Sequence, residues 1–161
     1  MTYRTVNLLL LAVGIVCSAA SFFAQYVLLL NPCPLCIVQR LSVLSFTLAA
    51  ALSLLLPTRK TAARRTATLL MSLPALWCGT VAAYQLWLQS LPSDLRPSCG
   101  APWTFRLREW PLFDYWEFAV RGLGDCGTRE WLFGLPLPVW SLLFSAVVLA
   151  GTWTALFKCR P

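Results

Sequence analysis

Apolar and polar positions in this chain fall into long blocks instead of alternating. Residues 7–30 carry no charged side chain, and neither do 41–56, 67–88 and 137–157. A helix needs about 20 apolar residues to cross a bilayer. Four spans are therefore predicted, at about 7–30, 37–56, 67–88 and 137–157, the second charged only at Arg40. Pro74 lies inside the third span, where a bundle tolerates a kink. The expected architecture is an all-α membrane protein: one integral domain over 1–161, a four-transmembrane-helix bundle with a long loop at 89–136. The first apolar run is too long for the core of a cleaved signal, so an uncleaved anchor is expected.

Composition supports the membrane reading. Of 161 residues 58% are hydrophobic, and the mean hydropathy is +0.68. A soluble domain of this size cannot hide that much apolar surface. The net charge of +7 could suggest nucleic acid. The charges, however, occupy short gaps between apolar runs, as topology signals do. Arg4, Arg59, Lys60, Arg64, Arg65, Lys158 and Arg160 have no acid among them, whereas every acid lies in 89–136. The positive-inside rule then puts both termini and the 57–66 loop in the cytoplasm. The turn around Cys33 and the 89–136 loop face outward, where disulfides persist.

The outward loop has its own pattern. Asp114, Glu117 and Arg121 fall on one face of a short helix, opposite the aromatics Trp110, Phe113, Trp116 and Phe118. A short helix lying in the membrane interface is expected; the alternative is a segment packing its aromatics on its own domain. Gly122, Gly124 and Gly127 around Cys126 read as flexible backbone.

The candidate chemistry is cysteine chemistry. Cys33-Pro34-Leu35-Cys36 is a Cys-x-x-Cys pair at the start of the second span, with Arg40 four residues after Cys36. Thiols react as thiolates, and such pairs often contain one cysteine of depressed pKa. With a helix starting near Leu35, Cys36 sits in the first turn, where the helix dipole favours an anion. Arg40, at i+4, shares its face. The plainer readings are a structural disulfide or half of a zinc site, with Arg40 merely snorkelling. Zinc would need a second close pair or histidine; Cys99 and Cys126 are 27 positions apart and the chain has no histidine. No metal is expected. A Cys99–Cys126 disulfide would be either a clamp or an exchangeable pair. Cys17 and Cys78 read as core packing, and Cys159 as incidental.

The run Cys33-Pro34-Leu35-Cys36-Ile37-Val38-Gln39-Arg40 resembles the signature of the DsbB family, bacterial inner-membrane thiol:quinone oxidoreductases. The resemblance extends over four spans, to Cys99 after its Pro-rich approach and to Gly124-Asp125-Cys126. It implies that Cys33 and Cys36 form the disulfide that delivers electrons to a quinone, ubiquinone or menaquinone, held by Arg40 beside Cys36. It implies that Cys99 and Cys126 form the disulfide that reoxidises a periplasmic DsbA-like thioredoxin-fold partner. A relative's histidine near the quinone has no counterpart here. A vitamin-K-epoxide-reductase-like protein would be expected to carry its pair near the end of a late span. A non-catalytic membrane scaffold would use its disulfides only as braces.

Overall fold

The computed structural model describes residues 2–57 and 60–159; Arg59 and Arg160, counted above as topology charges, lie outside the described residues. In chain order the elements are α1 (Tyr3–Tyr26), α2 (Pro34–Ser53), α3 (Thr61–Ser90), a 3-10 turn (Ser93–Leu95), α4 (Trp103–Arg106), α5 (Phe113–Val120), β1 (Trp131–Leu132), β2 (Leu135–Pro136) and α6 (Leu137–Lys158). Helices α1, α2, α3 and α6 are each long and apolar enough to cross a membrane. The fold is the expected all-α four-span bundle.

The helices close a ring, α1 on α2, α2 on α3, α3 on α6 and α6 back on α1; the last contact is sparser than the others. The core runs through Leu10, Val43, Phe46, Met71, Phe144 and Val148, with Phe46 and Phe144 edge to face at 5.4 Å. Leu8, Leu9, Val16, Leu69, Leu73, Trp77 and Val147 point outward. Apolar outer faces and small or polar inner contacts are the pattern of helices that pack in lipid. Asn7 donates to Ser53 Oγ at 2.9 Å across α1 and α2, and Gly14 lets α1 approach Thr47 of α2.

The starts of α1, α2 and α3 and the end of α1 differ from expectation. Helix α1 starts at Tyr3 because Thr2 caps it, accepting from the Thr5 N–H at 3.2 Å. It ends at Tyr26, and the chain turns at Leu29 with φ +56°. Helix α2 begins at Pro34, since Cys33 is its N-cap and Pro34 suits the first helical position. Helix α3 extends back through Arg64 and Arg65 and runs on past Pro74. Arg64 Nη2 donates to the carbonyls of Ala155 and Leu156 in α6 and of Cys159, its C-cap.

The 89–136 loop forms α5, shorter than the charge pattern suggested. Arg121 lies just past its end and pairs with Glu117 at 3.2 Å. Its aromatics divide. Phe113 and Val120 are buried against Ile37, with Trp116 packed alongside, while Trp110, Tyr115 and Phe118 stay exposed. Gly122 and Gly124 do not have positive φ. The flexible reading is therefore corrected: both are small because the loop meets another backbone there. The β1–β2 hairpin was not anticipated. It pairs Leu132 with Leu135, and its turn, Phe133 (φ +50°) and Gly134 (φ +78°), has the two positive φ values of a type I′ turn.

Candidate functional site: two cysteine pairs above an apolar cavity

Because Cys33 is the N-cap and Pro34 the first helical residue, Cys36 falls in the first turn of α2. There the free N–H groups and the positive end of the helix dipole face its sulfur. The Cys36 N–H donates to Cys33 Sγ at 3.3 Å, and the two sulfurs, both free thiols, lie 2.9 Å apart. Cys33 stands just outside the span. Its hydrogen bond with Cys36, and then burial, push its thiol pKa up.

A buried amide chain supports the pair from below. Gln85 Nε2 of α3 donates to Cys33 Sγ at 3.3 Å and to Cys36 Sγ at 3.4 Å. Its carbonyl oxygen accepts from Gln39 Nε2 at 2.7 Å, and Gln39 Oε1 accepts from Ser141 Oγ at 2.7 Å. Each amide is oriented by the next, so the Gln85 NH2 is aimed at sulfur by contacts from α2 and α6. Donors of this kind favour negative charge on the sulfurs.

Cys99 and Cys126 are joined by a disulfide. Cys33, Leu88 and Cys126 form one buried cluster, with Leu35, Cys36 and Cys99 packed against it. All four predicted cysteines are thus gathered at one end of the bundle. Within the loop disulfide the two residues differ in access: Cys126 is 0% exposed, whereas Cys99 is only partly buried. Gln89 Nε2 holds the Cys126 flank through the Thr128 carbonyl at 3.0 Å.

Arg40 is 5% exposed and is held by neutral acceptors. Its Nε donates to Ser21 Oγ at 2.8 Å, Nη2 to the Ser21 carbonyl at 3.2 Å, and Nη1 to Gln25 Oε1. The guanidinium lies 4.8 Å from the Phe22 ring centre. A guanidinium has five N–H donors, so two remain. Snorkelling does not describe this side chain, because α1 covers it.

Arg40 and Cys36 share the wall of a cavity of about 350 Å³ between α1, α2 and α6, where the helices touch least. Its polar lining is Ser21, Gln25, Gln39, Arg40 and Ser141; Phe133, Trp140 and Phe144 supply aromatic faces. Ligand pockets commonly start near this volume and combine apolar walls with a few fixed polar groups. Cys17 also lines the cavity, while Cys78 is fully buried in the core as expected. Ser21, Gln25, Gln39, Gln85 and Ser141 were not singled out from the sequence. The available signal was polar side chains recurring within charge-free spans.

Fold and site together define a membrane-embedded thiol–disulfide protein. The family model described as "Disulfide bond formation protein DsbB" matches residues 3–155. A disulfide bond formation protein B of Neisseria meningitidis serogroup A is 49% identical over 158 residues, covering 98% of this chain and 98% of the relative. Another of that name, from Acinetobacter baylyi, is 36% identical over 157 residues, covering 96% and 92%. One from Chromobacterium violaceum is 38% identical over 146 residues, covering 88% and 87%. The chain belongs to the DsbB family, redox enzymes of disulfide bond formation.

Proposed function

We propose that this protein is a thiol:quinone oxidoreductase of the bacterial inner membrane, with both termini cytoplasmic. It reoxidises a periplasmic DsbA-like oxidase and passes the electrons to a quinone, ubiquinone or menaquinone, from the lipid pool. One observation carries the reading: Cys36 and Arg40 line the apolar cavity while the neighbouring Cys33 is packed against Cys126. One pair faces a lipid-soluble acceptor and the other meets a water-borne protein.

The cavity fits a quinone headgroup on three counts. Its volume is sufficient, its walls are aromatic and aliphatic, and Arg40 and Gln39 keep N–H donors free for ring oxygens. When bound, the quinone supplies the two-electron oxidation that turns the Cys33 and Cys36 thiols into a disulfide, and it takes up two protons. The protein's own steps are thiol–disulfide exchanges. A partner thiolate attacks Cys99; the Cys99–Cys126 bond breaks and Cys126 leaves as thiolate. The second partner thiol then attacks the mixed disulfide and frees Cys99, so the partner departs oxidised. Cys126 attacks Cys33 of a Cys33–Cys36 disulfide, and Cys36 leaves as thiolate. Cys99 then attacks Cys126, closing the loop disulfide and leaving Cys33 and Cys36 reduced.

The test is quinone absorbance after purified protein is mixed with a reduced DsbA-type oxidase and ubiquinone. Loss of the quinone band with one partner disulfide formed per quinone is expected; no oxidation of the partner would refute the reading. The exposure difference gives a second expectation. Cys99→Ala should prevent a mixed disulfide with a partner that lacks its resolving cysteine. Undiminished capture on non-reducing gels would move the docking role to another cysteine.

A further inference from the structure

The segment between α5 and Cys126 crosses the chain that leads into Cys33, and the crossing is tight. Gly124 N–H donates to the Pro32 carbonyl at 3.2 Å, and Leu123 N–H donates to Asn31 Oδ1 at 3.1 Å. One turn earlier, Gln25 Nε2 donates to the Arg121 carbonyl at 2.8 Å, and Tyr26 OH donates to the Phe118 carbonyl at 2.7 Å. Four residues between Phe118 and Gly124 are thus tied to four residues that end α1 or precede Cys33. The two glycines make the approach possible. A Cβ at Gly122 would collide with the Pro32 carbonyl oxygen, and one at Gly124 with that of Asn31. Both obstacles are backbone, so no rotamer change relieves them.

The consequence is positional. Cys126 is two residues past Gly124 and Cys33 is one past Pro32, so the crossing fixes both sulfurs from adjacent backbone. We propose that Asn31 and Pro32, closing on Gly122, Leu123 and Gly124, form a latch that seats Cys126 against Cys33, and that Asn31, Gly122 and Gly124 are positioning residues for exchange between the two cysteine pairs. This deepens the oxidoreductase reading and rests on it. The latch explains why the loop disulfide has an inner and an outer sulfur. With Cys126 seated, attack on the more accessible Cys99 releases the Cys126 thiolate directly beside Cys33. The bond that then forms is Cys126–Cys33, the bond that breaks is Cys33–Cys36, and the electron pair leaves on Cys36.

The test uses the full chain. In a Cys36→Ser, Cys99→Ser background, Cys33 and Cys126 are the remaining outward thiols. Diamide, which takes two electrons and two protons, should join them rapidly, read by non-reducing peptide mapping. Gly124→Val adds volume without placing a side chain at positive φ, and should slow that cross-link at least tenfold; Asn31→Ala, which adds no volume, should slow it severalfold. In the otherwise unaltered protein, Gly124→Val should lower partner-driven quinone reduction about tenfold while dithiothreitol-driven reduction stays at or above its original rate. Unchanged cross-linking in both variants would overturn the latch. If Gly124→Val does not fold, seen as loss of both activities, Asn31→Ala alone decides. If the unaltered protein reduces no quinone, the oxidoreductase reading fails, while the cross-linking rates still judge the latch.

Discussion

Cys36→Ser is expected to lower quinone reduction at least about a thousand-fold, equivalent to about 4 kcal/mol of barrier. A serine hydroxyl cannot be oxidised to close a bond with Cys33. Cys36 is also the member of the pair that the cavity wall contains. The fold should survive, because the change is nearly isosteric at a half-buried position and the Cys36 N–H still caps onto Cys33 Sγ. The variant should also accumulate a covalent intermediate. Cys33 can attack Cys126 of the loop disulfide and release Cys99; with Cys36 replaced, only the return attack of Cys99 undoes the new bond, and alkylating the freed Cys99 traps it. Peptide mapping should therefore find Cys33 joined to Cys126 and not to Cys99, since Cys126 is the one buried in the same cluster. Ubiquinone-dependent turnover at the original rate would remove Cys36 from the electron path.

How far the chain could be read in advance depended on whether a signal was local. The four spans stood out because absence of charge over some twenty residues is a property of the segment alone. Their ends did not. Cys33 as N-cap and Leu29 at positive φ reflect where the 89–136 loop must be received, which no hydropathy window contains. Arg40 was conspicuous as a charge in grease, but its holders Ser21 and Gln25 are neutral residues on another helix. The glycines show the same limit. Gly122 and Gly124 suggested flexibility, yet they are required by a backbone crossing with residues 31–32, some ninety positions earlier; the Asn31–Leu123 contact spans 92. Resemblance to a family placed all four cysteines, whereas the amide chain through Gln39 and Gln85 became visible only with α2, α3 and α6 together.

Arg40→Ala should raise the KM for quinone by about 10- to 100-fold, the range expected when a charged hydrogen bond of about 1.5–3 kcal/mol is lost. The KM for the protein partner should change less than about twofold on the same scale. The reason lies in what surrounds the guanidinium. Among the described residues the one ion pair is Arg121–Glu117, in the 89–136 loop. Arg40 is a buried cation held by a hydroxyl, a carbonyl, an amide and a ring. A charge within a span is costly and is expected to serve a negative partner. On the proposed reading, negative charge arises at the Cys36 sulfur and at the oxygens of the quinone that receives the electrons. Those same contacts also fasten α1 to α2, so loss of packing must be separated from loss of charge. Ser21→Ala removes the Nε contact and leaves the cation, and should shift the quinone KM by only a few-fold. Arg40→Lys keeps the charge without the planar fork and should fall between the two. If Ser21→Ala matches Arg40→Ala, the arginine is a helix clamp; if Arg40→Ala leaves the quinone KM unchanged in a folded protein, the cavity does not use its charge.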